Sequence, residues 1–247
     1  MLKEIVDNAY EIFSKYRVSR PLEVCTDCCM KIEDEAKLAS LPVRQIPLDL
    51  LTEYNDSAKP AKTSIEEVKH FLPRYLELIS EFNFPTHSTE LSFSLLVPFD
   101  KNEWTETELE LLDTFTKEFF KHCLSIYPIP SFNDRIDTIL IMFCRAEFDI
   151  NSLLNVWEET DNLESVLHFK DLYFDGFNTK KTKLSNSFDD GKLSGMLVNW
   201  IESKKVSRIF RERIEKVILG DYDVEEITLY QLNSLYEIVN QREKNGG

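Results

Sequence analysis

The sequence predicts an all-α fold, an irregular array of about ten helices with little or no strand, and three observations carry that prediction. Apolar residues recur at three- and four-residue spacing along most of the chain, the period of a helix with one buried face. Glycine is scarce, with 6 in 247 residues. Period-two alternation is confined to one brief run, Leu91 to Val97, and the Ser88-Thr89-Glu90 before it equally caps a short helix. Short connections suit stacked antiparallel helix pairs, and no fixed-period repeat points to a named solenoid.

The first helix follows from the stripe Leu2, Ile5, Val6, Ala9, Phe13 and Tyr16. A second runs from Ile32 to Leu41 and is stopped by Pro42; a third runs from Pro47, which suits a first helical turn, to about Ala58. The clearest stripe is Ile65, Val68, Leu72, Tyr75, Leu76, Ile79 and Phe82, opened by a Thr63/Glu66 capping box. Pro73 lies inside it and predicts a kink or break near His70 to Leu72, because proline removes a hydrogen bond and crowds the preceding turn.

At "WTETEL", Thr105 and Glu108 form a second capping box with Trp104 and Leu109 as its staple, starting a helix to about Ile126. Its expected buried face is Leu109, Leu112, Phe115, Phe119, Cys123 and Ile126. Pro128 and Pro130 then mark the expected boundary between an N-terminal helical subdomain, 1–127, and a C-terminal one, 131–247, packed as one unit. Helices are predicted at about 132–147, 150–159, 161–174, 192–203 and 205–219. Residues 175–191 lose the apolar rhythm and read as a mobile surface loop. A last helix is signalled by a Thr228/Gln231 box with Ile227 stapling Leu232, and the tail "KNGG" is expected to fray.

Charge narrows the partners. With 44 acidic against 29 basic residues the formal charge is −15, which repels phosphate backbones and anionic bilayers, so the expected partner is a basic protein, not nucleic acid or a membrane. Lys3, Glu4 and Asp7 interrupt what a signal peptide would keep apolar, and no segment approaches the roughly 18 apolar residues of a spanning helix. A cytoplasmic location follows as the expectation. Five cysteines, an odd number, then favour reduced thiols over a disulfide framework.

Three of those cysteines crowd into "VCTDCC". Cys25 and Cys28 have the spacing with which a loop offers two thiolates to tetrahedral zinc, and Cys29 can replace one of them. Zinc needs two more ligands. His70, His87 and the His122-Cys123 pair are available, with His70 the expected companion, yet no second C-x-x-C or H-x-x-x-H completes the pattern. A redox dithiol is the second reading, but its usual strand-turn-helix setting is missing. The passive reading ranks above both: small, partly buried residues at the start of a helix.

Other constellations are incomplete. Glu67 and His70 make one E-x-x-H, whereas a di-iron bundle needs two and two further glutamates; Glu118/His122 and Glu164/His168 are four apart. Glu33 with Glu35, and Asp189 with Asp190, read as solvated charge. There is no nucleophile elbow, P-loop, dinucleotide fingerprint or H-E-x-x-H, so no catalytic residue is assigned and nothing in the sequence demands an enzyme.

Taken together, "CTDCC", "LPVRQIPLDLLTEYNDSAK" and "VKHFLPRYLELI" resemble a family of uncharacterised bacterial proteins with an N-terminal C-x-x-C, a P-L-R-E-like segment and an H-F-L-P-R-x-L-E-L-like segment. The matching positions include Cys25, Cys28, Pro42, Arg44, His70, Phe71, Leu72, Pro73, Arg74 and Glu77, within residues 22 to 120. Val43 and Gln45 depart from it, standing where the pattern has Leu and Glu. The resemblance implies a bacterial source and brings no activity with it. The leading functional expectation is therefore a non-enzymatic, acidic, helical protein-interaction module, in its specific form an immunity- or antitoxin-like inhibitor of a basic partner. Its alternative is a zinc- or thiol-dependent protein using Cys25, Cys28, Cys29 and His70.

Overall fold

The computed structural model describes residues 1–59, 64–131, 134–220 and 222–245. Among them it is all-α, with eleven α-helices and no strand; the one β-pairing is an isolated bridge between Phe177 and Leu184. No helix among these residues is long and apolar enough to cross a membrane.

The helices follow the apolar stripes. They are α1 (Leu2–Ile12), α2 (Ile32–Ser40), α3 (Leu48–Asp56), α4 (Ile65–Ser80), α5 (Glu106–Cys123), α6 (Ile136–Arg145), α7 (Ile150–Glu159), α8 (Leu163–Asp171), α9 (Lys192–Glu202), α10 (Lys204–Leu219) and α11 (Glu226–Asn245). The run at 91–97 is helical too, in two short 3-10 turns, Thr89–Leu91 and Ser94–Leu96.

Two compact units divide the chain, Met1–Phe119 with Arg145–Phe148, and Phe120–Cys144 with everything from Asp149 onward. In the first, α1 packs on α4 and α2 on α3. Its core holds Phe13, Leu38, Tyr54, Phe71, Leu76 and Phe115, all 2 % exposed or less. The second is centred on α10, which packs on α11, α9 and α8. There Phe169 stacks on Phe210 at 3.7 Å between ring centres, with Trp157 and Trp200 edge-on to the pair.

Local signals explain most helix ends. The Thr105/Glu108 box forms as predicted: the Glu108 amide donates to Thr105 Oγ1 at 3.3 Å and the Thr105 amide to Glu108 Oε2 at 3.0 Å. Thr63 lies outside the described residues, so the box assigned to it is not described. α4 ends without glycine. The Asn83 amide donates to the Leu78 carbonyl and the Phe82 amide to that of Ile79, both at 2.9 Å, which is the Schellman pattern with Phe82 left-handed at φ 60°. The Phe82 ring packs on Phe119, 5.5 Å between centres, a contact that offsets the backbone strain.

Four expectations need correction. Of the kink or break expected at Pro73, the break does not form: α4 runs on through it, because Val68, Phe71, Leu72, Tyr75, Leu76 and Ile79 on both sides of it are buried together. α5 stops at Cys123, short of Ile126, and Ser125 and Ile126 turn back on the carbonyls of His122 and Cys123. α11 starts at Glu226, so Thr228 is inside the helix and Ile227 is 60 % exposed with no staple; the acidic first turn suits the positive helix end there. Residues 175–191 are pinned, with Phe177 and Leu184 buried and the amides of Ser185 and Asn178 bonded to Gly176 and Lys183. Asp189 is also buried and takes the Ser194 hydroxyl, while Gly191 supplies the left-handed turn before α9 at φ 98°.

Candidate metal centre

The thiols sit on a short loop in the first unit, anchored at both ends. Leu22 and Met30 are buried, 3 % and 1 % exposed, and fix the entry and exit. Between them the Cys25 amide donates to the Ala58 carbonyl at 2.9 Å, and the Met30 amide returns to the Cys25 carbonyl at 3.0 Å. That turn brings the three side chains together. Cys25 Sγ lies 3.4 Å from Cys28 Sγ, Cys28 Sγ lies 3.6 Å from Cys29 Sγ, and all three fall within 4.8 Å of one another. Cys25 is half-buried, and Cys28 and Cys29 are exposed.

Proximity separates their acidities. The Cys28 backbone N–H, then the Cys28 side chain, then the Asp27 N–H lower the Cys25 thiol below its ordinary value. Cys28 moves the other way, its thiol pushed up to about 11 by Cys25 and Cys29. Cys25 is thus prepared to be thiolate before Cys28.

Carboxylates brace the loop from beneath. Glu67, 6 % exposed, accepts the Glu23 amide on both oxygens at 3.1 Å and the Tyr54 hydroxyl at 2.8 Å. Burial raises its pKa, and the Tyr54 and Glu23 hydrogen bonds oppose the rise. Glu35, 1 % exposed, takes the Leu22 amide and the Arg20 guanidinium, each at 2.8 Å. It is therefore a buried brace, and the solvated reading of Glu33/Glu35 fails for it as the reading of Asp189/Asp190 fails for Asp189.

Beside Cys25 opens a cleft of about 370 Å³ lined by Leu22, Glu23, Val24, Cys25, Ala58 and Lys59. Lys59 Nζ donates to the Tyr54 carbonyl at 2.7 Å and lies 3.1 Å from the Tyr54 ring centre. Burial brings its ammonium down to about 7 against the opposing pull of Glu67 and Glu23. Lys59 and Tyr54 are brought to the thiol loop by the Cys25–Ala58 backbone contact, which spacing along the chain does not announce.

His70 is placed apart from the sulfurs. Its Nδ1 meets the Tyr16 carbonyl at 3.1 Å, so that nitrogen donates, and its ring stands edge-on to Phe71. Among the described residues no histidine, aspartate or glutamate joins the three thiols within 4.8 Å. His168 is likewise engaged, its Nε2 on the carbonyls of Cys123 and Ile126 at 3.1 and 2.8 Å, and the imidazole of His87 lies on Asp56. The group able to hold a metal is Cys25, Cys28 and Cys29. Comparison of the chain with known protein families, with curated proteins and with solved structures finds no match.

Proposed function

We propose that the chain is a metal-thiolate protein in which Cys25, Cys28 and Cys29 hold one soft divalent ion, zinc foremost. A single observation carries the reading: three sulfurs already gathered at 3.4 and 3.6 Å on an anchored turn. Zinc–sulfur bonds of about 2.3 Å in a tetrahedron hold their sulfurs about 3.8 Å apart, and the Cys25–Cys28 and Cys28–Cys29 spacings are within a few tenths of an ångström of that value. Thiolate donors select zinc and copper(I) over magnesium, calcium or manganese. Metal analysis of protein purified without chelators tests it. The expected result is about one equivalent of zinc per chain, lost in Cys28→Ser; a stable protein that takes up no zinc when loaded and desalted removes the reading.

A second reading is favoured by a different observation. Leu219, Tyr222, Ile227 and Tyr230 are 79 %, 47 %, 60 % and 70 % exposed, within a stretch, 217–241, that has no lysine or arginine and exposes Asp223, Glu225 and Glu226. A segment carrying exposed apolar and aromatic side chains among exposed acids suits a basic protein partner, the pattern of an acidic interaction module of immunity or antitoxin type acting in a bacterial cytoplasm. The net charge of −15 adds long-range steering and disfavours nucleic acid. Binding to the native partner is expected to weaken steeply with salt and with Tyr230→Ala. Affinity unchanged in high salt, or a complex that leaves residues 219–230 free, removes it.

A further inference from the structure

A closed structural zinc centre takes four protein donors, whereas three leave a place for a ligand from outside. Three sulfurs come from the loop, and no histidine or carboxylate among the described residues joins them within 4.8 Å. Residues 60–63, which follow Lys59 in the chain, are Pro, Ala, Lys and Thr, none of them a zinc donor. Cys25 is at the same time a wall of the cleft of about 370 Å³, a volume in the range of small-ligand sites. Its other walls are mixed. Leu22, Val24 and Ala58 are apolar, Lys59 is the one cation among the described lining residues, and the Glu23 carboxylate is occupied by the Ser64 amide at 2.5 Å.

We infer that an ion held by Cys25, Cys28 and Cys29 keeps an exchangeable fourth position beside this cleft, which takes a small anionic donor such as a thiolate. This rests on the metal-thiolate reading above. Three thiolates on a divalent ion leave one negative charge, and a fourth anionic donor makes it two, which a nearby ammonium favours; Lys59, a wall of the cleft, supplies that charge when it is protonated. The apolar walls receive the carbon end of an organic thiol. On binding, the thiol gives its proton to solvent as its sulfur bonds to the metal and displaces water, and nothing is oxidised or reduced.

Cobalt(II) substituted for zinc reads the site directly, since sulfur-to-cobalt charge transfer reports the thiolates and the ligand-field bands report the fourth donor. The probes are azide and 2-mercaptoethanol added to the cobalt-loaded full chain. Expected is a saturable change in the ligand-field bands with either probe, with affinity lowered several-fold in Lys59→Gln while cobalt uptake is unchanged. Bands that respond to neither probe overturn the inference, as does a Lys59→Gln protein with unaltered probe affinity. So does a His70→Ala protein whose bands shift before any probe is added, because a protein side chain would then fill the position. Absence of any sulfur-to-cobalt band is a separate result, and it sinks the metal-thiolate reading itself.

Discussion

Lys69 on α4 and Glu108 on α5 form an ion pair of 2.8 Å in which the side chains are 3 % and 0 % exposed. Glu108 also accepts the Tyr16 hydroxyl at 2.6 Å and faces Lys15 at 3.1 Å, while Lys69 donates to the Glu103 carbonyl at 2.7 Å. The pair therefore joins the end of the first helical segment, α4 and the cap of α5. A charge buried this fully is tolerated because each partner is satisfied several times over.

Removing one partner should cost far more than removing both. Lys69→Met leaves the carboxylate short of its buried cation and is expected to destabilise the fold by about 3 to 5 kcal/mol. The double substitution Lys69→Met with Glu108→Gln should recover part of that loss. Urea unfolding of the two single variants and the double variant completes the cycle, and purely additive losses would show that the two groups are not coupled.

Acid should weaken the same network. Burial alone would raise the Glu108 pKa, but hydrogen bonds from Lys69, Tyr16, the Thr105 amide and Lys15 bring it from its ordinary 4.5 down to about 2. A lowered carboxylate contributes stability that is fully present above the unfolded value and lost as pH falls through the folded one. Stability should thus decline between about pH 4.5 and about pH 2, and Glu108→Gln should flatten that part of the curve when unfolding is followed against pH.

The five cysteines should label in order of exposure. Cys28 and Cys29 are exposed, Cys25 and Cys144 intermediate, and Cys123 buried at 0 %. A thiol reagent should modify the three loop cysteines first and Cys123 only on unfolding. Prior loading with zinc should slow the three together and leave Cys144 unaffected; loss of protection at only one of them would mean the three do not share an ion.

Gly191 supplies a sharper backbone test. Its φ of 98° is open to glycine and disfavoured for other residues, although nothing lies within 4 Å of an added Cβ. Gly191→Ala is expected to cost about 1 kcal/mol, visible as a lower urea midpoint at unchanged slope. A neutral result would mean the turn relaxes.

The fold was legible wherever the signal was local. The α4 stripe and the Thr105/Glu108 box predict helices that form where expected, since a helix needs only its own period and its own cap. Where tertiary contacts decide, the sequence is silent. Phe82 stops α4 in a left-handed conformation that glycine would have advertised, and Phe177 and Leu184 pin a segment whose composition reads as loop. The site divides the same way: the three thiols were visible because five consecutive residues carry them, whereas Lys59, Glu67 and Tyr54 are gathered around them by folding. Glu67 and His70 share an E-x-x-H spacing, yet one braces the thiol loop and the other meets Tyr16, so their proximity along α4 has no shared chemistry.

All three sulfurs belong to one stretch of five residues, Cys25 to Cys29. A cross-link across so short a span removes little freedom from the unfolded chain, and the same five residues offer nearly the same thiolates to a metal when the protein is denatured. An ion there would tie no distant segments together. Loaded and metal-free protein should accordingly melt at nearly the same temperature, which sets this loop apart from zinc fingers, where the ion is what makes the fold. On the proposed metal-thiolate reading, the loop is expected to gain and lose its ion without unfolding the helices around it.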